Sequence, residues 1–511
     1  MMIKKILGCI GLLGLMCFVS CKKDTDITES EPQPTVIGQK LENPYSVENM
    51  RKAMGNLRNS NDDYRMADLE IEATHLYLKF MPQNEDQLSL LLQDSTVVYY
   101  TYPLDHELLD GTDEYHDPEI PDSLPTYQYC AVPVDKVLTT DVSYEILEKL
   151  FIPDEYEDEG SYRYASEDIT EALVDEALRI TDNLEQEDEL QDHERRRRKW
   201  RPAGTLNVWD DNKRKFIPLE GVKVRARRWF TTRTGISNSK GYYSCNGKFR
   251  RKARYSIKWK RYDFSVRKGL RTAKYGGPKK KGNWNLNIKG GRQEFYATIF
   301  RAANHYYYKD IKGLRTPPRN GFWRTKLKIR ACYETNDFSN GNHMAARRFL
   351  GLGSAIKIYN PHHNSMNIYA TVIHELAHAS HWNMGAWDYN KTSKIVKESW
   401  ASGVEWALTR MVYPTYQPNY NRLRYTGIVQ DMIDKEKLVA SRYVWTGNAP
   451  YFQRYSIKTY NDQVSGYTIR QLEDALEDER TWDGWKINII ESYDNEKEKN
   501  LHEGFTFWSM Q

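Results

Sequence analysis

The stretch Thr371-Val-Ile-His-Glu-Leu-Ala-His-Ala-Ser380 sets two histidines one helical turn apart with a glutamate beside the first. On an α-helix, residues i and i+4 share a face, so His374 and His378 can direct imidazole nitrogens at one Zn2+ about 2 Å away. Glu375 is turned about 100° from His374 around the helix. It therefore falls beside such a metal rather than on it, where a general base for an activated water belongs. The chain has 12 histidines in 511 residues, and at ordinary glutamate usage an HExxH match arises by chance roughly 0.02 times in such a chain.

The surroundings favour a helix. Ile368, Val372, Ile373, Leu376 and Ala377 supply its apolar side, and Asn364 or Ser365, after Pro361, can cap its start. Upstream, Ser354-Ala-Ile-Lys-Ile-Tyr359 alternates like a half-buried strand. The competing reading is a helix whose histidines are ordinary core or surface residues.

A catalytic zinc needs a third protein ligand and one position left for water. Glu398 fits best. It lies in Lys394-Ile-Val-Lys-Glu-Ser-Trp-Ala-Ser-Gly-Val-Glu-Trp-Ala-Leu408, a second helical segment with Thr392 or Ser393 near its start. Asp388 and Glu405 remain alternatives, and Glu405, on roughly the same helical face as Glu398, also suits a partner that orients a ligating histidine. His381 sits too close to His378 to reach a third corner comfortably. A metzincin pattern would need Gly at 381 and His at 384, where this chain has His381 and Met384.

His374, Glu375, His378 and Glu398 together resemble the gluzincin metallopeptidases, whose third ligand is a glutamate on the helix after HExxH. The resemblance covers about 120 residues, from Glu294 to Leu408, and the match is residue by residue at those four positions only. It implies one catalytic Zn2+, a peptide or protein substrate, and Glu375 as the base for the attacking water. It also implies a donor that steadies the oxyanion. Tyr389 is a candidate, and Tyr420, Tyr425, Tyr455 and Tyr460 follow the core in a chain with 36 tyrosines. Glu294–Tyr308 reads as a helix and Thr325–Tyr333 as a strand. With 354–359 in the place of an edge strand before the HExxH helix, this is the zincin order, and an edge strand can pair with an extended peptide. After Pro414, segments 426–439 and 468–477 suggest a mostly helical lower half.

The N-terminus points outside the cytoplasm. Lys4 and Lys5 precede an apolar stretch, Ile6–Val19, too short to span a bilayer. Phe18-Val-Ser-Cys21 resembles a bacterial lipobox, which implies lipidation of Cys21, a signal peptide over 1–20, and anchorage in the cell envelope at the outer membrane. A polar tether over 21–40 has too few apolar residues to fold. The remaining cysteines, Cys130, Cys245 and Cys332, are widely spaced and form no disulfide framework or cysteine zinc site. No later apolar run is long enough to cross a membrane.

Composition divides the rest. From 154 to 194 there are 17 acidic and 2 basic residues; from 195 to 290 there are 31 basic and 4 acidic, against a net charge of +4 for the whole chain. The reading is a multidomain α+β protein, with an α+β domain over 41–194, an all-β basic module over 195–290, and a zincin-like α+β domain over 291–511. Pro218-Leu-Glu-Gly-Val-Lys-Val-Arg225 and Ser239-Lys-Gly-Tyr-Tyr243 resemble transthyretin-like β-sandwich modules of carboxypeptidases and bacterial surface proteins. Its lysines and arginines, interleaved with Trp229, Phe230, Tyr255, Trp259 and Tyr262, could grip a polyanion. The reading preferred here is that the basic module docks on the acidic 154–194 segment, so no nucleic-acid partner is expected. Two other functions stay open. One is a different hydrolase on the same metal; the other is a surface binding or adhesion lipoprotein whose zinc site is structural or vestigial.

Overall fold

The computed structural model describes residues 36–60, 70–94, 96–110, 115–153, 167–184, 199–269, 271–321, 326–333, 341–343, 355–359, 364–420, 424–435, 439–445, 455–493 and 500–510. The leader, Cys21 and most of the tether lie outside them. The chain is mixed α and β with several antiparallel sheets, 34% helical and 27% strand, so neither an all-α nor an all-β architecture describes it. Among the described residues no helix is long and apolar enough to cross a membrane.

The expected tether ends before residue 40. Val36–Lys40 pairs antiparallel with His106–Asp110, since Val36 and Ile37 suit a strand and the partner lies far along the chain. Nearby, His75–Phe80 is the central strand between Gln128–Pro133 and Tyr144–Leu150. Helices Val47–Ser60 and Glu167–Ile180 pack on each other and bury Met50, Met54, Leu173 and Leu178 in a core that includes Tyr77 and Leu150.

The basic segment forms two four-stranded sheets. In one, Ala203–Asp210 pairs with Lys215–Pro218, Tyr242–Ser244 and Leu286–Ile288; the other runs in the order Lys274–Lys280, Ala253–Lys258, Lys223–Arg228, Thr231–Ile236. Leu206, Val208, Val224 and Ile257 are all buried in one cluster. Most of the aromatics proposed to grip a polyanion are spent on packing instead. Tyr255 and Trp259 are fully buried, and Trp229 and Phe230 pack against the N-terminal core, with Phe230 5.0 Å from the Tyr77 ring. Trp229 reaches it by a left-handed backbone (φ 46°), costly for a bulky residue, with its carbonyl held by Arg227 Nη1 at 2.6 Å. Of the five, Tyr262 alone is exposed. On the acidic helix, Glu171 pairs with Arg250 at 3.1 Å and Asp175 with Arg251, so part of the basic charge is answered within the chain.

Residue 290 does not separate the sheets. Phe264–Lys268, upstream of it, pairs in parallel with Leu327–Cys332, which pairs in parallel with Ala355–Tyr359. Sequence alone hides this because Phe264-Ser-Val-Arg-Lys alternates like its neighbours, and nothing local names a partner some 60 residues away. Ala355–Tyr359 is also not an edge. It is covered on its other side by the short antiparallel strand Gly341–His343, which ends the five-stranded sheet. Helix Gly291–Tyr308 contacts the Phe264–Lys268 and Leu327–Cys332 strands, and helix Ser365–Met384 contacts the two strands at the other side.

Beyond the site, the expected helical half is mixed. Ile428–Ile433, Ile469–Asp474, Trp482–Ser492 and Leu501–Ser509 are helices, while Val439–Trp445 and Tyr455–Asn461 pair as antiparallel strands.

Candidate metal centre

The motif helix Ser365–Met384 is fixed at its start by two polar contacts. The Asn364 side chain accepts from the Asn367 amide at 3.0 Å, the N-cap read from sequence. Asp211, just past the Ala203–Asp210 strand, accepts from the Ser365 amide at 2.8 Å and places negative charge at the helix N-terminus. The helix is then held between Gly291–Tyr308 and Lys394–Thr409. His374, Glu375, His378 and His381 are all buried on it.

The structure brings His374, His378 and Glu398 together, with one ligand atom from each lying within 4.8 Å of the others. Glu398 Oε2 is 3.3 Å from Nε2 of His374 and 3.3 Å from Nε2 of His378. Ligand atoms about 2.0–2.1 Å from a tetrahedral ion stand about 3.3–3.4 Å from each other, so these separations are those of tetrahedral edges. The two imidazoles stand nearly perpendicular, with centroids 4.8 Å apart.

Around this group the other sequence candidates take different places. Glu405, about two turns along the same helix from Glu398, binds Nδ1 of His374 at 2.8 Å and accepts from the Tyr416 hydroxyl. It thus fixes which nitrogen of His374 faces Glu398. Asp388 is paired with Arg480 and is not part of the group. His381 turns its ring edge-on to Tyr389, 5.0 Å between centroids. Tyr389 lies over His378 at 6.4 Å, and Lys397 donates to its carbonyl at 3.3 Å.

Tyr425, one of the tyrosines that follow the core, also meets the site. Its ring stacks on His374, 5.6 Å between centroids and 18° from parallel, and the adjacent Thr426 donates to Ser399 Oγ at 2.7 Å, tying this segment to the Glu398 helix. One tyrosine among 36 carries no local signal of this contact.

The electrostatics are those of a site built for a cation. Burial alone would depress the His374 imidazole, yet Glu398 and Glu405 on its two nitrogens raise it to about 10. Burial likewise opposes ionisation of Glu398, but His378 and His374 hold it well below the usual carboxylate range. Glu375 is pushed up by burial, with the two histidines pulling the other way and Glu398 and Glu405 adding to the rise. Among the described residues its Oε2 is buried and makes no hydrogen bond, an arrangement that costs stability unless something is bound there.

Two imidazoles, neutral once a metal takes the place of a proton, and one carboxylate suit a divalent ion, and the group can hold one. No family model, no curated protein and no solved structure matches the chain.

Proposed function

We propose that the chain is a zinc-dependent peptidase of gluzincin type, lipid-anchored through Cys21 in a bacterial envelope and acting on peptide or protein substrates outside the cytoplasm. One observation carries this reading: beside a three-ligand His374, His378 and Glu398 group stands buried Glu375, whose Oε2 makes no hydrogen bond among the described residues. In this reading the two four-stranded sheets are a transthyretin-like sandwich, and the 264–384 strands and helices are the zincin half that carries the motif.

A zinc held by His374, His378 and Glu398 would supply Lewis acidity to the scissile carbonyl and acidify a water. Glu375, with its raised pKa, would accept a proton from the attacking water as its oxygen bonds the carbonyl carbon, and would give that proton to the amine nitrogen as the C–N bond breaks. Glu405 keeps His374 in the tautomer that presents Nε2 to the site. Tyr389 and Tyr425 both feel the Glu398 and Glu375 carboxylates. Both phenols therefore border the site, and Tyr425, stacked on His374, is the stronger candidate to steady the oxyanion. The outermost strand, Gly341–His343, replaces 354–359 as the edge on which an extended substrate would pair.

The structural-zinc alternative needs a fourth protein ligand. Against it, the group among the described residues has three members, and Glu405 spends its carboxylate on the far nitrogen of His374. To test the proposal, the purified protein is incubated with a mixed peptide library, with and without a zinc chelator. Cleavage lost with chelator and restored by zinc is expected. Cleavage indifferent to chelation, or no cleavage by zinc-loaded protein, would sink the peptidase.

A further inference from the structure

A cavity of about 1000 Å³ opens between the N-terminal three-stranded sheet and the basic module, and none of its described lining residues belongs to the metal centre. That volume lies at the upper end of ligand-sized clefts, which favour domain seams, at roughly 300–1000 Å³. Its apolar walls are Tyr100, Phe151 and Phe230, and its acidic residues are Glu70, Glu72 and Asp135, all three exposed. Among the described lining residues the one arginine, Arg233, is buried, with its guanidinium carbon 6.0 Å from the centre of the Phe249 ring. The solvent-facing charge among these described lining residues is therefore acidic, although one wall, Phe230 to Arg233, belongs to the strongly basic module.

One wall is also a sheet edge. Among the described residues Thr231–Ile236 is the last strand of its sheet, paired with Lys223–Arg228 alone. The Thr234 amide donates to Asn246 Oδ1 at 2.7 Å, and its carbonyl accepts from the Asn246 amide at 2.9 Å, on the side away from Lys223–Arg228. Backbone groups alternate sides with a period of two, so the N–H and C=O of Thr232 face outward as well. Thr232 lines the cavity, and its hydroxyl is 2.7 Å from that of Tyr100.

We propose that this cleft binds an extended polypeptide segment carrying lysine or arginine. The main chain of the segment pairs with the outer edge at Thr232, its apolar side chains lie on Phe230 and Phe151, and its cations meet Glu70, Glu72 and Asp135. The proposal does not depend on the peptidase reading, because binding here requires neither metal nor turnover.

The test uses the full chain carrying Glu375→Gln, so that no probe is cut, and fluorescein-labelled Lys-Val-Lys-Val-Lys-Val with its Glu-for-Lys counterpart. Selective binding of the basic peptide is expected, weakened about tenfold or more in Glu70→Gln/Glu72→Gln/Asp135→Asn and by 0.5 M salt. Thr232→Pro, which removes an outward N–H that an edge strand can spare, weakens binding by about tenfold, whereas Thr232→Val, which removes only the hydroxyl, leaves it within about twofold. Thermal melts of each variant confirm folding. Equal binding of both peptides, binding unchanged in the triple variant, or no binding of either peptide would overturn the proposal. Zinc content and peptide cleavage by the wild type are read separately, so either proposal can fail alone.

Discussion

Glu405 Oε2 lies 2.8 Å from Nδ1 of His374, on the opposite side of the ring from Glu398, whose Oε2 is 3.3 Å from Nε2. One histidine is thus gripped at both nitrogens by carboxylates on a single helix, Lys394–Thr409. Glu405→Gln keeps the volume and weakens the acceptor. Zinc affinity is expected to fall about 10- to 100-fold, measured by competition with a chromogenic chelator, with the melting temperature of the metal-free protein little changed. Unaltered affinity would remove Glu405 from the site.

The position of Glu398 depends on a close helix contact. A Cβ on Gly403 would stand 2.2 Å from Val429 Cγ1 and 2.3 Å from Val429 Cβ, and a β-branched side chain has little freedom to yield. Gly403→Ala should destabilise the protein by about 1–3 kcal/mol and lower zinc affinity, because the helix carrying Glu398 must shift. Adding Val429→Gly, which removes Cβ together with both methyls, should restore much of the zinc affinity, read by zinc titration beside denaturant unfolding. Additive losses in the double variant would contradict the contact.

Tyr425→Phe removes a hydroxyl and keeps the ring that stacks on His374. A lost oxyanion donor costs about 100- to 1000-fold in kcat, and KM should change little. Tyr389→Phe is the comparison, and an equal or larger loss there would transfer the role to Tyr389.

His381 is buried with Nδ1 unbonded among the described residues. Burial first, then His378 and Lys397, lower its pKa to about 3. The folded state keeps it neutral while the unfolded chain takes up a proton below about pH 6.5. Its contribution is therefore intact above that pH and is lost as the pH falls toward 3. His381→Leu should flatten the fall in unfolding free energy over that window and leave stability at pH 8 equal or higher. An unchanged slope would show that other groups set the acid sensitivity.

Much of the site could be read from the chain because its signals are local. The i, i+4 spacing of His374 and His378, the Asn364 cap and the apolar stripe all sit within one helix, and Glu398 opens the next long one. What escaped was non-local. The pairing of Phe264–Lys268 with Leu327–Cys332 links segments with no shared pattern. Gly341–His343 is too short to alternate visibly. Trp229 and Phe230 read as exposed aromatics among arginines, yet they close the core beneath Tyr45 and Tyr77. Tyr425 meets His374 through chain folding alone.

The central claim is that Glu375 acts on a water while three other residues hold the metal. The most direct measurement compares wild type and Glu375→Gln for zinc bound per chain and for cleavage of the same peptide mixture, read by mass spectrometry. One zinc per chain in both proteins, with cleavage by the wild type alone, is the expected result. Equal activity in the two with zinc still bound would contradict it.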